Sequence, residues 1–197
     1  MIGHRCVVIR HGETEWSRSG RHTGRSDPPL LPEGEDQARE LAPRLAAHRF
    51  STVLTSPLIR ARRTCELAGL GPGATVDPDL AEWDYGEYEG LTTAEIRREH
   101  PGWDLFDDGC PGGERADDVG RRVDRVIERV LAQPGDVACV AHGHVLRVMA
   151  SRWIGLAAGS GRSFSLGPAA LCELGWERDQ PVVALWNARF TPRSAGA

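Results

Sequence analysis

An arginine and a histidine stand side by side at Arg10-His11, directly after the apolar run Val7-Val8-Ile9 and directly before Gly12. A β-branched run of that kind reads as a buried strand, and the glycine lets the chain turn sharply at its end. A fixed cation beside an ionisable imidazole at a strand mouth suits an anionic substrate. Two other stretches end in a similar way. Thr52-Val53-Leu54-Thr55 leads to Arg60 about one helical turn on, and Asp136 to Ala141 runs into His142-Gly143-His144. Any one of these is an ordinary strand followed by a charged turn; three together point to a convergent anion site. Arg10 and Arg60 each carry a planar fork of donors that matches phosphate oxygens. His11 is a competent nucleophile toward phosphorus once one ring nitrogen donates to a backbone carbonyl and the other faces the phosphate. His142, protonated, would stabilise charge on the transferring group. The leaving alkoxide needs a proton. Glu82, set among Trp83, Tyr85 and Tyr88, is the candidate acid, with partial burial raising its pKa. No metal and no other cofactor is called for, because arginine and imidazolium fill that role; two arginines in the same pocket would repel a cation from His11, His142 and His144.

The elements that must position these groups follow from hydrophobic spacing. Ser17 to Pro32 is turn-rich and polar, a surface loop or part of a site. Glu33 to His48 has helical spacing at Ala38, Leu41, Ala42 and Leu45, with Pro43 expected to kink or crowd it. A helix runs from Pro57 to about Leu67, and a short one is expected from Thr92 to His100, with Leu80 to Leu91 and Asp107 to Gly113 irregular. From about Arg115 to Ala132 the valines mark an amphipathic helix whose arginines read mainly as a solvated face. A helix over Val145 to Leu156 and strands over Ala170 to Trp176 and Val182 to Trp186 close the fold. Strands alternating with helices predict an α/β sandwich with a mostly parallel sheet, which binds ligands beyond the carboxyl ends of its strands.

The 197 residues fit one domain, 1–197, with a loose tail after about residue 191. All 24 basic side chains are arginine, so Schiff-base, P-loop and kinase-type lysine chemistry is excluded. The net charge of −4 argues against a nucleic-acid partner. The five cysteines are scattered, without a C-x-x-C pair, and read as reduced buried thiols. No signal peptide and no membrane-length apolar run is read, which predicts a cytoplasmic protein with no membrane partner. Assembly into a homo-oligomer is left open.

The stretch Val8-Ile9-Arg10-His11-Gly12-Glu13-Thr14-Glu15-Trp16 resembles the signature of the histidine phosphatase superfamily, also called phosphoglycerate-mutase-like. The match continues through Arg21-His22-Thr23-Gly24, Leu31-Pro32-Glu33-Gly34, Ser56-Pro57-Leu58-Ile59-Arg60-Ala61 and Ala141-His142-Gly143. The resemblance implies a three-layer α/β/α sandwich and His11 as the phosphorylated nucleophile. It implies Arg10, Arg60 and His142 as the phosphate pocket, Glu82 as proton donor, and Thr23 and Gly24 as loop contacts to substrate. Ser17 stands where the family usually has asparagine; its hydroxyl could still donate to a phosphate oxygen. The stretches Glu82 to Gly90 and Ala141 to Arg147 look most like the sugar-bisphosphatase branch typified by sedoheptulose-1,7-bisphosphatase, and bring Tyr85 and Gly143 into the substrate-binding set. His144 either touches a second substrate phosphate or caps a strand–helix turn. The cofactor-dependent mutases have a longer insert with a lysine, so hydrolysis is favoured. The expected activity is metal-independent hydrolysis of small phosphorylated metabolites, sugar phosphates or bisphosphates. A phosphoglycerate mutase and a non-catalytic phospho-ligand sensor are the rival readings.

Overall fold

Side-chain alternation along two five-residue strands explains how one sheet is buried on both faces. The computed structural model describes residues 4–190. Its strands are β1 (Cys6–Arg10), β2 (Thr52–Thr55), β3 (Thr75–Val76), β4 (Val137–Ala141), β5 (Leu171–Glu177) and β6 (Gln180–Ala188), ordered β3-β2-β4-β1-β5-β6. The first four run parallel, and β5 and β6 join antiparallel. The helices are α1 (Glu15–Ser19), α2 (Pro32–Leu45), α3 (Ile59–Leu67), α4 (Thr93–Glu99), α5 (Leu105–Asp108), α6 (Ala116–Leu131) and α7 (Gly143–Trp153).

Val7, Ile9, Ala138 and Val140 face Leu41 and Leu45 of α2 and Ala61 and Cys65 of α3. Cys6, Val8, Cys139 and Ala141 face the opposite way, onto Val119, Val123 and Val126 of α6 and Val145 and Met149 of α7. Parallel strands covered on both faces need continuous apolar runs, and β1 and β4 supply them. The result is the expected three-layer α/β/α sandwich. In the strand order β2-β4-β1, the three carboxyl ends singled out in the sequence are neighbours.

Several local expectations need correction. The turn-rich segment contains a short helix, α1, because Thr14 and Ser17 form a reciprocal cap: Ser17 N–H donates to Thr14 Oγ1 at 3.1 Å and Thr14 N–H to Ser17 Oγ at 2.9 Å. Pro43 lies within α2, near its end, and the helix closes at Leu45. The helix expected from Val145 starts at Gly143. The arginines of α6 are mainly exposed, with Arg122 the buried exception. It lies three residues after Val119 and four before Val126, on the flank of the apolar stripe. The expected loose tail falls outside the described residues.

Candidate active site

β1 delivers His11 to the floor of a polar cavity of about 230 Å³. The His11 Nδ1–H donates to the Gly12 carbonyl at 2.7 Å, which fixes the tautomer and leaves Nε2 with the lone pair. Burial, then the charges of Arg10 and Arg60, hold this ring well below the ordinary histidine pKa. The nucleophile candidate is therefore neutral at pH 7. Its backbone is fixed on several sides: His11 N–H donates to Ala141 O at 2.9 Å, and Gly12 N–H to the buried Thr64 Oγ1 at 3.0 Å. A Cβ on Gly12 would overlap the backbone of Gly34, and one on Gly34 would overlap that of Glu13. This mutual close approach seats the β1 turn on the first turn of α2 and gives Leu31-Pro32-Glu33-Gly34 a physical reason for its glycine.

Arg10 lines the same cavity and donates through Nη1 to Leu166 O at 2.5 Å. Its Nε is buried and has no hydrogen-bond partner among the described residues; it lies 3.4 Å from where a Cβ on Gly143 would stand. An unpaired buried guanidinium N–H is costly, and an anion oxygen would satisfy it.

Arg60 behaves differently from expectation. It is fully buried, and all five of its N–H groups have protein acceptors. Nε donates to His142 Nδ1 at 3.2 Å, Nη1 to Ser26 O and Asp27 Oδ1, and Nη2 to Thr23 O and Gly24 O. It does not line the cavity; it ties residues 23–27 to the sheet and acts on His11 through charge. His142 is likewise not the imidazolium expected. Its Nδ1 accepts from Arg60, its Nε2–H donates to Ser56 Oγ at 2.6 Å, and burial followed by Arg60 holds its pKa well below the ordinary value. Its ring lies 5.1 Å from that of His11, edge to face. Gly24 also stands back from the cavity, because its N–H is taken by the Glu89 carboxylate.

Glu82 reaches the site from the segment after β3 and caps α7. Its Oε1 accepts from Trp83 N–H and Val145 N–H at 2.9 Å each, and its Oε2 from His144 N–H at 3.0 Å. Oε2 therefore keeps a lone pair for a proton. Ser17, Thr23, Tyr85, Gly143 and His144 line the cavity with it. The Ser17 hydroxyl is already committed to Thr14 O at 3.0 Å, and Thr23 Oγ1 to Arg21 O at 3.0 Å. Tyr85 and His144 are joined by a 2.7 Å hydrogen bond. Burial, and next the Glu82 charge, push the Tyr85 phenol up; burial, and next Arg147, push His144 down.

Sequence reasoning missed His22, Arg21 and Arg147, which also line the cavity. His22 packs against Tyr85 with ring centres 4.7 Å apart, and burial lowers its pKa to about 4. Arg147 stacks over Phe106 at 4.7 Å and donates to Gly161 O. Its place three residues after His144, on the same helix face, is a signal that spacing alone carries. Arg10, Arg21 and Arg147 set three cations against the single carboxylate of Glu82. Such a cavity can take an anion beside a neutral imidazole and a carboxyl group.

Comparison with known proteins agrees. The family model of the histidine phosphatase superfamily (branch 1) matches residues 6–189. An acid phosphatase of Mycobacterium tuberculosis is 41% identical over 199 residues, spanning 98% of this chain and 97% of its own. The sedoheptulose 1,7-bisphosphatase of Saccharomyces cerevisiae is 37% identical over 77% of this chain and 68% of its own. A Cronobacter sakazakii protein named as a probable phosphoglycerate mutase, GpmB, is 31% identical over 91% of this chain and 88% of its own. The solved structure of an open-reading-frame product from Mycobacterium tuberculosis has a TM-score of 0.90 at 37% identity, covering 94% of this chain and 98% of that one.

Proposed function

Because the chain belongs to the histidine phosphatase superfamily, we propose that it is a metal-independent phosphomonoesterase that works through a phosphohistidine at His11. The observation that carries this reading is the neutral His11, with Nδ1 anchored on Gly12 O, beside the unpartnered Nε of Arg10. In the first step Nε2 attacks phosphorus, the ester P–O bond breaks, and Glu82 Oε2 passes its proton to the leaving oxygen. In the second, water attacks the phosphohistidine, Glu82 takes a water proton, and phosphate leaves with His11 restored. Arg10 and the charge of Arg60 behind His11 stabilise the transferring group.

Small phosphorylated metabolites are the proposed substrates, sugar phosphates or bisphosphates in particular. Arg21 and Arg147 provide more positive charge than one phosphate requires, and Tyr85, His144 and Thr93 offer hydrogen-bonding groups for a polyol. Five buried free cysteines fit a cytoplasmic location. Among the described residues no helix is long and apolar enough to cross a membrane.

The test is chemical trapping. A labelled phosphate monoester quenched in denaturant should leave acid-labile, base-stable phosphate on the wild-type protein and none on His11→Ala. His11→Ala should also lose all measurable hydrolysis of p-nitrophenyl phosphate while keeping its unfolding midpoint. Full activity in that variant would end the assignment. Similarity to the named mutase favours one rival, for which bisphosphoglycerate-stimulated interconversion of phosphoglycerates is the discriminating assay.

A further inference from the structure

The Glu82 carboxyl is met at the start of α7 by the N–H groups of His144 and Val145, and the chain that carries it is held separately. The segment on either side of it is clamped from behind by two residues of the Gly112–Leu131 region that never reach the cavity. Arg122 of α6 makes a bidentate pair with Glu114, Nε to Oε1 at 2.8 Å and Nη2 to Oε2 at 3.0 Å. Its remaining Nη1 donors grip the chain just before the acid, at Asp79 O (2.7 Å) and Ala81 O (2.6 Å). Glu114 grips the chain just after it. Its Oε2 accepts from Asp84 N–H at 2.9 Å, its N–H donates to Asp84 O at 2.8 Å, and its carbonyl accepts the Trp83 indole N–H at 2.9 Å. Both partners are shielded from water, with 10% and 22% of their side chains exposed. A bidentate, shielded arginine–carboxylate pair is geometrically stiff. Here both Nη1 donors of Arg122, and the Oε2, N–H and carbonyl of Glu114, reach residues 79–84.

We propose that Arg122 and Glu114 form a positioning pair for the acid–base step, fixing the Glu82 carboxyl against the leaving-group oxygen without touching substrate. The inference rests on the Glu82 assignment made above. Its consequence is selective. An activated leaving group departs without a proton, whereas an alkoxide does not, so in the phosphorylation of His11 displacement of the acid should be felt on alkyl esters only.

The experiment compares kcat/KM, which reads phosphorylation of His11 and not the shared hydrolysis of the phosphohistidine, on p-nitrophenyl phosphate and on glycerol 2-phosphate for Glu82→Gln, Arg122→Met, Arg122→Lys, Glu114→Gln and the Glu82→Gln/Arg122→Met double variant. Glu82→Gln should lose about 10²-fold or more on the alkyl ester and little on the aryl ester. Arg122→Met should lose roughly 10-fold or more on the alkyl ester and under about 3-fold on the aryl ester, since small misplacements carry costs of that order. Arg122→Lys, with its charge kept, should fall between. The double variant should be no worse than Glu82→Gln alone, because a displaced acid that is already absent costs nothing further. Equal losses on both esters for Arg122→Met, or losses that add in the double variant, overturn the pairing and leave the Glu82 assignment standing. Absence of leaving-group dependence in Glu82→Gln itself overturns the assignment, and the pairing with it. Should Arg122→Met not fold, Glu114→Gln, of the same size, is read against the same criteria.

Discussion

His22 offers a quantitative check on how dry the cavity wall is. Its ring is 8% exposed as a residue, lies between Tyr85 and Trp103, and burial lowers its pKa from 6.5 to about 4. The unfolded chain takes up a proton at this residue below pH 6.5 and the folded chain does not until pH falls to about 4. Stability is therefore present above pH 6.5 and lost as pH falls through that window, at about 1.4 kcal/mol per unit once the unfolded residue is fully charged. Between pH 7 and pH 5 the loss owed to His22 works out at about 2 kcal/mol. His22→Phe keeps the aromatic contact and removes the titration. Urea unfolding of both proteins at pH 7, 6 and 5 should show the variant losing about 2 kcal/mol less than wild type over that range. Any pH-independent cost of the substitution cancels in the double difference. A double difference near zero would refute the reasoning, because it would mean that the ring is hydrated or already charged in the folded protein. His11, His142 and His144 are shifted in the same direction by burial, so the wild-type acid slope should remain steep after the substitution.

Two further outcomes are expected. On the proposed mechanism hydrolysis of an aryl phosphate needs His11 neutral, and its pKa is held well below 6.5 by burial, Arg10 and Arg60; kcat/KM should show no fall through pH 6.5 as pH is lowered, and an inflection there in a protein that is still folded would contradict the buried environment. Gly34→Ala should cost about 1–3 kcal/mol in unfolding free energy and, by shifting the backbone at Glu13, roughly 10²-fold in kcat; unchanged kinetics would show that the Gly12–Gly34 approach does not set the position of the nucleophile.

The parts of this molecule legible in the sequence are those governed by local rules. β1 and β4 could be read because a strand buried on both faces needs an unbroken apolar run, and their last residues announced Arg10, His11 and His142. The occupancy of those groups could not be read. Arg60 looks like a free cation in a sequence, and only the fold shows Thr23, Gly24, Ser26, Asp27 and His142 arriving to take its donors. His142 fails as an imidazolium for the same reason: its surroundings, not its type, decide its charge. Arg122 is the exception on a face that is mainly solvated, and its spacing from Val119 and Val126 already placed it at the border of the buried face. Gly34 lies between the two cases. The residue stands out in a helix start, but the chain that presses on it comes from twenty-one residues earlier.

The capping of α7 by Glu82 has a consequence for the choice of phosphate acceptor. On the proposed mechanism, the carboxylate created when the proton leaves is received by the N–H groups of His144 and Val145 at the positive end of that helix, so the base for the second half-reaction would be ready before any acceptor arrives. Nothing in that base distinguishes water from the hydroxyl of a sugar or an acid. Whether phosphate is released or handed on is then decided by what the cavity retains after the first product forms: a site that lets go of the alcohol hydrolyses, and one that keeps it or admits another transfers. On that reading, a phosphatase and a mutase built on these groups would differ in residence time and not in what moves the proton.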